Sequence, residues 1–312
     1  MTMGRAAGGP VLALDIGGSK VIAGVVDRNG KVSGRVQQPL ASTDASGVLE
    51  VVVRLAHQAM AAGDVRAVGA TIPGLADPSA GVWVFSPFSG IRNVPVVALL
   101  QDELRLPVAI ENDVNACARG EMMFGSCSST TDFVWVTISN GIGGCVVVGG
   151  RIVDGADNCA GEIGHIIVDE GGALCGCGHR GCAEATAAGP AILRRYHREK
   201  DASDDQALDA RAIAELARGG DEVARRVFDE TGVFLGKALA SVVSLLNPQK
   251  VVLGGGVALS MDLFLPGVLR TLDELAFPAA RRNVRIEGTK LGYDAALLGA
   301  ASVAFAANRA RT

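Results

Sequence analysis

Two stretches of the chain repeat one plan, and that plan restricts the fold more than any other feature. An apolar run, VLALDI at 11–16, meets Gly17–Gly18; a second run, Val21 to Val26, follows, then the turn Asp27–Gly30 and an alternating segment at 31–36. The plan returns at Phe133, where FVWVTIS meets Asn140–Gly141 and Gly143–Gly144, and Cys145–Val148 then ends at Gly149–Gly150. Short apolar runs closed by glycine turns read as strands of a meander. Two such meanders predict a duplicated α/β unit with a cleft between its halves.

The remaining segments fit that plan. Helical periodicity runs from Asp44 to Ala62 and stops at Gly63. Strand-like runs lie at 65–72 and 107–110, and a helix starts near Asp113. From Ala185 to about Leu246 the pattern is helical, apart from a polar break at 201–205, and Asn247–Pro248 ends it. Lys250–Leu253 is a strand, Gly254–Gly256 its turn, and helices at 262–276 and 294–307 complete the pattern. No low-complexity tether separates the halves, so the boundary within 118–130 reads as a hinge. The expected domains are 1–118, completed by a C-terminal helix within 294–312, and 119–293.

Composition narrows the function. With 49% apolar residues and a net charge of −4 over 312 residues, the chain can bury a large core and is not disordered. It has no basic excess and no Lys/Arg run, which argues against nucleic acid as a partner. No apolar leader core is visible, and the longest uncharged stretch, 133–150, carries glycines and polar residues, so neither a signal peptide nor a membrane span is expected. Seven cysteines, an odd number, without a secretory signal point to the reducing cytoplasm, where clustered cysteines hold metal more readily than they form disulfides.

Three of those cysteines are clustered. His165, nine intervening residues, Cys175, one residue, Cys177, four residues and Cys182 supply one imidazole and three thiolates. That is a complete tetrahedral zinc shell, and a closed shell is structural. Buried packing is a poor alternative in a loop this rich in glycine, and His179 is the competing imidazole. Gly176-Cys-Gly-His-Arg-Gly181 matches GxGxxG in form, but it follows no strand, so the dinucleotide reading fails. Cys117, Cys127, Cys145 and Cys159, with His57 and His197, carry no assigned role.

Asp15-Ile-Gly-Gly-Ser-Lys20 places an acid beside two glycines and a hydroxyl at a strand end. Such a turn can cradle a phosphate on backbone N–H groups, with Ser19 adding a donor and Asp15 holding Mg²⁺ through water; it can equally be a hairpin tip. Asn140–Gly144 and Gly254–Gly256 are two further candidate phosphate turns, and three at strand ends point to a nucleotide. Glu111-Asn-Asp-Val-Asn115 follows a strand and opens a helix, where an acid serves as general base or as helix cap. Glu162 and Glu184 flank the cysteine loop as further candidates.

LDIGGSK (14–20), IPG (72–74), ENDVNA (111–116), GIGG (141–144), AGEIGH (160–165), CGCGHRGCAE (175–184) and LGGGV (253–257) occur in this order across the chain. In these motifs the sequence resembles the ROK family of bacterial sugar kinases and sugar-responsive repressors. The resemblance implies the actin-like (ribonuclease H-like, hexokinase-type) ATPase fold and an ATP-dependent hexose or aminohexose kinase, acting usually at the 6-hydroxyl. It implies Asp113 as the base that takes the sugar proton. Gly74, Asn112, Glu162, His165 and Glu184 would hold the sugar, with His165 also on zinc. Asp15, Gly17, Gly18, Ser19, Lys20, Asn140, Gly141, Gly143 and Gly254, Gly255 and Gly256 would hold ATP and Mg²⁺. The family habit is a homodimer.

Departures bear on substrate. Ser19 replaces the usual Thr, and Asn140 stands where Thr is usual; both keep a polar side chain. FSPFSGIRNVP (85–95) has Phe88 and Ile91 where family members often read SPN…GW with an Asn near the sugar. Loss of that contact sets N-acetylmannosamine, N-acetylglucosamine or a kanosamine-type amino sugar beside glucose as substrates. A sugar-sensing regulator without catalysis is the alternative. It is disfavoured because Asp15 and Asp113 are retained and the phosphate turn begins at Asp15, with no room before it for the repressors' helix-turn-helix.

Overall fold

The computed structural model describes residues 9–41, 44–86, 89–200 and 208–309. The chain divides into two compact units, 1–129 with 155–159 and 290–312, and 130–154 with 160–289.

The first unit opens with an antiparallel meander, β1 (Val11–Ile16), β2 (Lys20–Val26) and β3 (Val32–Pro39). Helix α1 (Ala45–Met60) leads to β4 (Val68–Ile72). A small antiparallel sheet, β5 (Leu75–Asp77), β6 (Val82–Phe85) and β7 (Arg92–Val94), precedes α2 (Val96–Leu104), β8 (Val108–Asn112) and α3 (Asp113–Phe124). The main sheet runs β3-β2-β1-β4-β8, with β1, β4 and β8 parallel. VLALDI is almost continuously apolar because both faces of β1 are covered. Leu12, Leu14 and Ile16 share a core with Val48, Val52 and Leu55 of α1, while Val11 and Ala13 pack with Leu297, Ala301 and Phe305. The last three belong to α10 (Ala295–Arg309), which returns from the far end of the chain to cover the first unit. It lies directly on β4: a Cβ on Gly69 would collide with the Ala300 carbonyl.

The second unit repeats the plan. Its meander is β9 (Phe133–Ile138), β10 (Ile142–Val148) and β11 (Arg151–Ile152). Helices α4 (Ala183–Ala187), α5 (Gly189–Lys200), α6 (Ala210–Arg218) and α7 (Glu222–Leu246) follow, then β12 (Lys250–Gly254), α8 (Met261–Leu275), α9 (Pro278–Arg281) and β13 (Arg285–Gly288). The sheet order β11-β10-β9-β12-β13 matches the first unit position for position, with β9, β12 and β13 parallel. The duplication read from two glycine-turn meanders is therefore a duplication of whole five-stranded sheets.

Two details differ from the sequence reading. Among the described residues the helical stretch from 185 to 246 is four helices: Ala188 is extended between α4 and α5, and Gly219–Gly220 separates α6 from α7. The polar break at 201–205 and Phe88 lie outside the described residues. The division between units falls at 129/130, not 118/119, because α3 packs on α10 and stays whole in the first unit. Asn247 ends α7 in the left-handed conformation, one that Asn tolerates, and Pro248 cannot continue a helix. Among the described residues no helix is long and apolar enough to cross a membrane.

Candidate active site and metal centre

Asn112 closes β8 and Asp113 opens α3, so the two readings of this motif fall on adjacent residues. Asn112 is the cap: its Oδ1 accepts from the backbone of Val114 (2.9 Å) and Asn115 (3.1 Å). Its Nδ2 donates to the Gly74 carbonyl (2.8 Å) and to Asp113 Oδ1 (3.1 Å), and that oxygen also accepts from the Val114 N–H (3.0 Å). Gly74 takes a positive φ of 86° just beyond β4, which lets its carbonyl meet Asn112. Behind them, buried Glu111 is paired with Arg119 (2.8 Å) and receives the Asn112 N–H. The half-buried Asp113 carboxylate is thus held by its neighbour and by the helix N-terminus.

In the same unit Asp15 sits at the end of β1. Burial pushes its carboxyl above the usual aspartate value, opposed by a hydrogen bond from Thr71 Oγ1 (2.9 Å) and by the charges of Lys20 and Arg35. The turn after it is tight, with Gly17 N–H on the Lys20 carbonyl (2.9 Å), and leaves Gly18, Ser19 and Lys20 exposed. A half-buried carboxylate whose charge is disfavoured by desolvation is a group that a cation settles, so Asp15 fits the magnesium role.

The second unit brings Asn140–Gly144 and Gly254–Gly256 to one end of its sheet, where Gly254 registers with Thr137. Ser139 N–H closes the first turn on the Gly141 carbonyl (2.9 Å). Ile142 N–H donates to Glu184 Oε2 (3.0 Å), which ties this turn to the first turn of α4.

His165 ends a short 3₁₀ turn (Ile163–His165), and its Nδ1 lies 3.6 Å from Cys175 Sγ. Cys177 and Cys182 Sγ are also 3.6 Å apart, and the four donor atoms all lie within 4.8 Å of one another. A tetrahedron with metal–sulfur distances of about 2.3 Å has edges of about 3.8 Å, so the donor set fits zinc. The thiols alone are in conflict: burial raises Cys175 and pushes Cys182 to about 12, while the N–H and ring of His179 lower Cys177 to about 6. Thiols this crowded ionise together only when a cation shares their charge. His179 contacts Cys177 (3.6 Å) without joining the mutually close set. On its other side, His165 Nε2 is 3.8 Å from Glu162. All seven cysteines are free thiols.

Thr71 escaped the sequence reading, although it is the polar interruption in the run VGATI. Ile91, which stands in the loop where the family often has Trp, is buried in the core with Trp83 and Leu100.

Residues 11–307 match the model of the ROK family. The chain belongs to the ROK family. Among ROK proteins, the glucokinase of Thermotoga maritima is 31% identical over 307 residues, 94% of this chain and 96% of its own. The structure of a ROK family glucokinase from Streptomyces griseus, in complex with glucose and AMPPNP, superposes with a TM-score of 0.86 at 32% identity, covering 96% of this chain and all of that one. A ROK family transcriptional regulator, a homologue of the E. coli MLC protein, superposes at 0.87 and 25% identity over 95% of this chain and 77% of its own.

Proposed function

We propose that this ROK protein is an ATP-dependent kinase of a hexose or aminohexose, acting at the 6-hydroxyl. The observation that carries it is the Asp113 carboxylate, anchored by Asn112 and the start of α3 in a chain that follows the glucose- and AMPPNP-bound glucokinase over 96% of its length. Asp113 takes the proton from the sugar hydroxyl. That oxygen attacks the γ-phosphorus of ATP, the bond to the β,γ-bridging oxygen breaks, and ADP leaves. Such a transfer asks the protein mainly for positioning and charge stabilisation.

Backbone donors of Gly17–Ser19 and Asn140–Gly144 hold phosphate oxygens, with Lys20 adding positive charge, and Gly254–Gly256 flank adenine and ribose. Magnesium, when bound, neutralises phosphate charge, and Asp15 is the residue that would hold it. Gly74, Asn112 and Asp113, with Glu162, His165 and Glu184, take the sugar. The zinc shell is closed and therefore structural. It would use His165 Nδ1 and leave Nε2 to donate to a sugar hydroxyl, so that the metal sets the tautomer and aim of the ring. The protein acts as a homodimer in the cytoplasm.

An ADP-release screen over hexoses, N-acyl hexosamines and aminohexoses tests the reading. Turnover of at least one sugar is expected, and Asp113→Asn lowers kcat by about 10²–10⁴ while sugar affinity changes only a few-fold. A near-normal kcat removes Asp113 as base. Sugar binding with no turnover anywhere on the panel turns the assignment to a sugar-sensing regulator, the reading to which the likeness to the MLC homologue points.

A further inference from the structure

Thr71 is completely buried at the end of β4, between Asp15 and Glu111 in the register of three adjacent parallel strands. Its hydroxyl both donates and accepts. The O–H donates to Asp15 Oδ1 (2.9 Å), and the oxygen accepts from the Ile16 N–H (3.2 Å). One side chain therefore holds both the carboxylate of Asp15 and the backbone that leads into the glycine turn. Among the described residues Thr71 supplies the hydrogen bond that Asp15 receives, while burial works against the ionised form.

We propose that Thr71 is a positioning residue for the nucleotide end of the reaction. It engages Oδ1 and so presents Oδ2 of Asp15, in one rotamer, to the cation that accompanies ATP. The physical reason is specific to a hydroxyl. A valine has the same shape but leaves the Ile16 N–H without its acceptor and lets the half-buried carboxylate rotate. A serine keeps both bonds. The inference rests on the kinase reading above and concerns Asp15 alone, leaving the sugar residues out.

Wild type, Thr71→Val and Thr71→Ser are compared for MgATP binding by calorimetry and for kcat and both KM values. Thr71→Val is expected to weaken MgATP binding at least tenfold and to lower kcat, with sugar affinity within twofold of wild type. Thr71→Ser is expected within twofold throughout. Because Thr71 acts through Asp15, adding Thr71→Val to Asp15→Asn costs less than a further twofold. MgATP binding unchanged in Thr71→Val, a Thr71→Ser as impaired as the valine, or multiplicative losses in the double variant each overturn the proposal. If the valine variant does not fold, Thr71→Ala, which removes the hydroxyl without adding bulk, carries the same comparison. Wild type that neither binds MgATP nor turns over a sugar overturns the kinase reading instead, so the two failures are distinguishable.

Discussion

Gly164 is the residue on which two motifs meet. A Cβ there would fall on the Ile142 carbonyl, one on Gly161 would meet the Gly144 carbonyl, and one on Gly144 would strike the Ile163 side chain and the Gly161 carbonyl. AGEIGH therefore lies against GIGG with backbone touching backbone, and the spacing of glycines in both motifs follows from that approach. Gly164→Ala is expected to lower stability by about 1–3 kcal/mol and to release zinc, because it displaces the turn that carries His165. Thermal melting with a metal assay checks this; an unchanged melt with full zinc means the loop yields at no cost. Other single residues were legible to different degrees. Cys175, Cys177 and Cys182 could be read because three thiols and one imidazole at this spacing make a four-donor set, which the fold brings together even though Cys175 and Cys182 are also buried beside Ala185. Thr71 could not, since β-branched Thr is an ordinary strand residue and only the register shows that it faces Asp15.

At the scale of elements, α4 is a short rigid link. Cys182 precedes it, Glu184 stands in its first turn, and Glu184 Oε2 accepts from Ile142 in the second phosphate turn. The metal loop is thus mechanically joined to a segment assigned to ATP. Cys182→Ser is expected to lose bound zinc and to raise the KM for ATP as well as for sugar. Atomic absorption and the two KM values check it; retained metal overturns the ligand assignment, and an unaltered ATP KM removes the link through Glu184. Helix periodicity could not show α4 as a separate element. Apolar spacing continues across Ala188, and only the extended backbone there marks the break. The small sheet β5–β7 was likewise unread, because its strands are three or four residues long and carry no usable alternation.

At the scale of the whole molecule, the duplicated plan was the part best seen in advance. Two apolar runs around glycine turns are a local pattern, and each proved to be the start of a sheet with the same strand order. The contribution of α10 to the first unit is a long-range property. It follows from Leu297, Ala301 and Phe305 filling the face of β1 opposite α1. A chain ending at Thr289 is expected to lose the cooperative melting of the first unit and to expose Val11, Ala13 and Ile22 to a hydrophobic dye. An intact two-transition melt would show that α10 is dispensable.

The same return of α10 sets an order in time. On a ribosome the strands of the first unit emerge early, yet the helix that covers one face of their sheet is made only after residues 130–289. At roughly 5–20 residues per second, that face waits on the order of 10–30 s. Apart from residues 155–159, the second unit is one continuous stretch, so it can finish folding before the first is complete. The earliest-made half of this protein is therefore the last to close, and it is the half a nascent-chain chaperone has reason to shield.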